Sequence, residues 1–82
     1  MKRTVDEKLE YNRKLKTDFS AGYVLGVNIY RRYSSANAEG KASIKELIAT
    51  ANENARRGDK LDKGIMCGVR DAANERKSKA RK

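Results

Sequence analysis

The side chains in this sequence best equipped for chemistry are cations, and they recur at a helical spacing. Lys63, Arg70 and Lys77 stand seven residues apart, so on one helix they drift by only about 40° in all. Arg56, Arg57 and Lys60 crowd the segment just before them, and Arg76, Lys79, Arg81 and Lys82 carry the line onward. Cations set along one edge suit a phosphate backbone, because each contact releases a condensed counterion. Asp62, Asp71 and Glu75 share the same stretch and cancel part of its field. The competing readings are therefore a solvated helix face with a floppy basic tail, or a surface for an acidic protein.

Tyr30-Arg31-Arg32-Tyr33 is a second candidate, since Tyr and Arg dominate interface hot spots and stack on unpaired bases. Helix geometry puts Tyr30 on the apolar face, Tyr33 at its margin, and Arg31 and Arg32 outward. The plain reading is thus one core Tyr, one boundary Tyr and two solvated Arg. A helix-turn-helix reading of the Arg56-Arg57-Gly58-Asp59 turn is weak, because Gly58 fits an ordinary helix stop.

Catalytic chemistry finds little support. There is no His and a single Cys, which removes most metal sites and most nucleophilic triads. Cys67 projects onto the side of its helix away from the apolar centre, with Lys63 and Arg70 one turn to either side and no acid–base partner. The acids show no metal-ligand spacing, and no phosphate-loop pattern is present. The sequence therefore predicts a non-enzymatic protein with no catalytic residue, cofactor or metal.

Composition agrees. Eighty-two residues carry 20 Lys or Arg against 11 Asp or Glu, a formal charge of +9. Residues 1–16 hold +3 of it, 17–40 none, 41–60 +2 and 61–82 +4. The neutral stretch is also the most apolar, so charge is displayed around a hydrophobic centre. No apolar run is long enough to cross a membrane, and the first residues are charged rather than signal-like. A reducing cytoplasm fits the lone thiol.

Four helical segments position these groups. Thr4-Val-Asp-Glu7 has capping-box spacing and opens a thin first helix through Val5, Leu9 and Leu15. Thr17–Asp18 offers a cap for the second, where Phe19, Tyr23, Val27 and Tyr30 recur with helical period. Ser34–Gly40 reads as a polar connection. Ser43-Ile-Lys-Glu46 is a second capping-box spacing, followed by Ile44, Leu47, Ile48, Ala51 and Ala55 on one face, with Arg56-Arg57-Gly58 as the stop. The fourth begins near Asp59–Leu61, carries Leu61, Ile65, Val69 and Ala72, and frays from Arg76 onward.

One internal echo crosses two of these helices. Gly22-Tyr-Val-Leu-Gly26-Val27 and Gly64-Ile-Met-Cys-Gly68-Val69 share a pattern at an offset of 42 residues. Glycine costs about 1 kcal/mol relative to Ala inside a helix, so four of them ask for a reason. Close crossing of helix two and helix four along Gly22, Gly26, Gly64 and Gly68 would supply one; the bland alternative ends the helices at these glycines. The first and third helices barely match at that offset, which argues against a repeated two-helix unit.

The expectation is an all-α bundle of three to four helices over residues 1–75, with a flexible basic tail over 76–82. Its expected core is Leu9, Leu15, Phe19, Tyr23, Val27, Tyr30, Ile44, Leu47, Ile48, Ala51, Leu61, Ile65 and Val69. Its expected partner is nucleic acid, a ribonucleoprotein or an acidic protein surface. The alternatives are a phage-type regulator or inhibitor of the anti-CRISPR kind acting by protein binding, and a basic scaffold component of a larger assembly. A homodimer is the natural use of the glycine flanks if they are exposed; a monomer suffices if they meet internally.

Overall fold

A computed structural model describes residues 4–80, with side chains through Arg76. The described residues form four helices and no strand: α1 (Val5–Lys14), α2 (Asp18–Ser35), α3 (Ala38–Arg56) and α4 (Lys60–Ala80). None is long and apolar enough to cross a membrane.

Caps written into the sequence set most boundaries. At α1 the Glu7 amide donates to Thr4 Oγ1 at 3.1 Å, and the Thr4 amide donates to Glu7 Oε1 at 3.2 Å, a reciprocal capping box. The Ser20 amide donates to Thr17 Oγ1 at 3.1 Å to start α2. At the end of α3 the Gly58 amide donates to the Ala55 carbonyl and the Asp59 amide to that of Asn54. Gly58 has φ +101°, so this is a Schellman stop that glycine fits without strain. The Asp62 amide then donates to Asp59 Oδ1 at 3.0 Å, capping α4.

The start of α3 departs from expectation. Ser34–Gly40 is not a polar loop: α2 runs to Ser35, only Ala36 and Asn37 intervene, and α3 begins at Ala38. Asn37 Oδ1 accepts from the Gly40 amide at 2.8 Å, leaving Ser43–Glu46 inside the helix rather than at its mouth. The cap is Asn37, six residues before Ser43, at a position expected to lie in the connection.

The frame is a parallel crossing of α2 and α4 along their glycines. A β-carbon at Gly22 would overlap the Leu61 carbonyl, and one at Gly26 that of Ile65; at Gly64 it would meet the Phe19 carbonyl, and at Gly68 that of Tyr23. Only bare backbone admits this approach. The contacts are reciprocal, since Phe19 and Leu61, like Tyr23 and Ile65, are themselves 42 residues apart. The two helices are thus related by a local quasi-two-fold, although α1 and α3 barely resemble each other in sequence.

The outer helices pack against this pair from either side. Both α1 and α3 touch α2 and α4, yet they do not touch each other, and the body is flattened to 33 × 32 × 18 Å. Val5 and Leu9 of α1 join Tyr23, Val27 and Ala72 in the main cluster, with Val24, Tyr30 and Cys67 packed against it. Cys67 therefore lies against the core, not away from it. On the other side Ala51 and Ile65 are buried.

Four expected core residues stand well exposed: Leu15 at 40%, Phe19 at 40%, Leu47 at 47% and Leu61 at 39%. Two of them lie where the packed body ends: Phe19 and Leu61 are each the second residue of their helix, one turn before the buried Tyr23 and Ile65. Leu15 is the C-cap residue of α1, past the end of the packed stripe. Leu47 sits at the edge of a helix that packs through the small side chain of Ala51.

Candidate nucleic-acid interface

Two of the three acids of α4, Asp71 and Glu75, are engaged by the neighbouring helices, while Asp62 lies in the first turn between Lys60 and Lys63. The Tyr23 hydroxyl donates to Asp71 Oδ2 at 2.7 Å, and Lys8 Nζ reaches the same oxygen at 3.3 Å. Arg31 Nη2 bridges Asp6 Oδ1 at 2.9 Å and Glu75 Oε1 at 3.2 Å, tying α1, α2 and α4 together. The Asp71 and Glu75 side chains are only 16% and 20% exposed. Such partly buried, charge-assisted bonds are stronger than surface ion pairs.

These bonds shift two proton affinities. The Tyr23 phenol is pushed well above its ordinary value, first by burial and then by the hydrogen bond to Asp71 and that residue's charge. Burial works against the Arg31 charge, but the hydrogen bonds to Asp6 and Glu75 outweigh it and raise its pKa. Arg31 is therefore a structural cation, which corrects its expected outward, solvated position.

The rest of the quartet divides. Arg32 is exposed, while Tyr30 and Tyr33 are half-buried with ring centroids 5.8 Å apart. Lys41 Nζ sits 5.6 Å from the Tyr33 ring centroid, holding the start of α3 to the end of α2 by a cation–π contact. Tyr30, Arg31 and Ser34 face Ala72, Glu75 and Arg76 across a shallow groove of about 280 Å³.

Of the cations on α4, Lys63 and Arg70 lie away from that groove, whereas Arg76 borders it. Lys63 and Arg70 fall on its outward face, and Arg56, Arg57, Lys60, Lys63, Arg70 and Arg76 are all exposed. Arg57 makes a loose contact with Glu53 at 3.9 Å and Arg70 with Asp71 at 3.8 Å, distances that hold neither guanidinium firmly. Among the described residues, Arg56, Lys60, Lys63 and Arg76 make no ion pair. The side chains of Lys77, Lys79, Arg81 and Lys82 lie outside the described residues, while the α4 backbone continues through 76–80, the first part of the expected tail.

The parallel crossing adds residues that sequence spacing did not bring into the set. The starts of α2 and α4 lie at one end of the body, because the Phe19 carbonyl meets Gly64 and that of Leu61 meets Gly22. The α1–α2 turn therefore shares that end with the α3–α4 turn. It contributes exposed Arg13, Lys14 and Lys16 beside exposed Leu15 and Phe19. The 42-residue echo was the available signal: it aligns the two turns as well as the glycines.

No group of three or more His, Cys, Asp or Glu among the described residues could hold a metal ion. Compared with family models, curated proteins and solved structures, the chain matches none.

Proposed function

We propose that this protein is a non-enzymatic, cytoplasmic nucleic-acid binder that grips backbone phosphates through Arg56, Arg57, Lys60, Lys63 and Arg70. One observation carries the reading: of the three acids that would neutralise α4, two, Asp71 and Glu75, are held inward by Tyr23, Lys8 and Arg31, leaving only Asp62 beside the cations. The outward cations are left free to meet an external polyanion. The sequence that follows adds Arg76, Lys77, Lys79, Arg81 and Lys82 to the cations available to a polyanion.

Salt titration tests it. Five phosphate contacts imply a log–log slope of about −4.5 on duplex DNA and about −3.5 on a single strand. Binding indifferent to salt, or retained when Arg56, Arg57, Lys63 and Arg70 all become Gln, overturns the reading. Leu25 at 45% exposure, with Leu47, favours a second reading, a regulator or scaffold component that docks on a protein. Capture that survives nuclease treatment would support this one instead.

A further inference from the structure

Building on the phosphate-binding reading, we infer that the nucleic acid is single-stranded, an unpaired base resting on Phe19 while its phosphates follow the cations of α4.

Phe19 is a large aromatic residue left 40% exposed at the very end where the cations gather. Its carbonyl packs on Gly64, which places it within a turn of Lys60 and Lys63, both exposed. An aromatic face interleaved with cations is the arrangement that holds unpaired strands, since every base has a π face to stack and every nucleotide a phosphate. A fully paired duplex buries those faces in its own stack.

The shape of the row points the same way. From Lys60 to Arg70 the cations run along a straight helix for about 15 Å, at 1.5 Å per residue. A duplex strand completes a turn in about 34–36 Å, so over the same length it swings through nearly half a turn and away from a straight line. A flexible single strand can follow the whole row and continue over the tip toward Arg13, Lys14 and Lys16.

The deciding measurement is fluorescence anisotropy of the full chain with labelled oligonucleotides of one sequence. Single-stranded DNA, single-stranded RNA and the DNA duplex are compared at equal salt. At least one single strand should bind about tenfold more tightly than the duplex; the two strands separate the possible sources of the ligand. Phe19→Ala and Phe19→Leu should each weaken single-strand binding about five- to hundredfold with the salt slope unchanged. Lys60→Gln with Lys63→Gln should instead flatten that slope. Melting curves establish that each variant is folded, and Phe19→Leu preserves apolar bulk while removing the ring. Duplex binding equal to or tighter than single-strand binding, or a folded Phe19→Leu variant that binds like the parent, overturns the inference and leaves phosphate binding standing. Failure of all three oligonucleotides to bind removes both.

Discussion

The outward faces of α2 and α4 occupy equivalent places on the same frame and carry different chemistry. At the 42-residue offset, Ala21 corresponds to Lys63, Asn28 to Arg70 and Ser35 to Lys77. Ala21, Asn28 and Ser35 are exposed, as are Lys63 and Arg70. The frame therefore does not require charge at these positions, since one copy of the geometry does without it. Lys63 and Arg70 make no cross-helix ion pair, whereas the half-exposed Arg31 and Lys8 tie helices together through Asp6, Glu75 and Asp71.

The largest effect should come from attacking what the two helices share. Gly22→Ala and Gly64→Ala each force a β-carbon into a backbone carbonyl, and each should cost about 3 kcal/mol or more by urea melts. If the quasi-two-fold governs packing, the two losses should agree to within about 1 kcal/mol, and a wide disparity would break the equivalence. Next in size is the exchange of the rows. Giving α4 the residues of α2, as Lys63→Ala with Arg70→Asn, should remove nearly two units of salt slope while changing stability by less than about 1 kcal/mol. A comparable loss of stability would show that the charges are structural after all.

A smaller effect tests the inward side of α4. Tyr23→Phe removes the hydrogen bond to Asp71 and should cost about 1.5 kcal/mol at neutral pH. The folded phenol holds its proton above the ordinary value of 10.0. Its contribution is thus complete below about pH 10 and declines as pH climbs toward the raised value. Urea melts from pH 8 to 11 should show this alkaline decline in the parent and a flatter profile in the variant. Smallest is Asn37→Ala, about 1 kcal/mol from loss of the α3 cap; Ser43→Ala should have little effect, confirming which cap is used.

Legibility followed the range of the interaction. Thr4, Thr17 and Gly58 announce their caps because capping is settled within three residues. Ser43 carries the capping-box spacing, yet α3 starts from Asn37, and the early start places Lys41 against Tyr33. The seven-residue rhythm of Lys63 and Arg70 shows that they share a face. It does not show that Asp71 and Glu75 turn the other way, because their partners Lys8 and Arg31 lie 63 and 44 residues distant. Phe19 and Leu61 read as core from periodicity, yet each is the second residue of its helix, past the last neighbour that could cover it.

The glycine crossing also acts as a vernier. Slide α4 one turn along α2 in either direction, and only one of the two glycine layers still meets its counterpart; elsewhere a side chain arrives where backbone must pass. The pair thus has a single allowed register. That fixes how far the tip of the α1–α2 hairpin stands from the tip of the α3–α4 hairpin. Two loops that are distant in sequence are thus held at one height, like the paired jaws of a caliper.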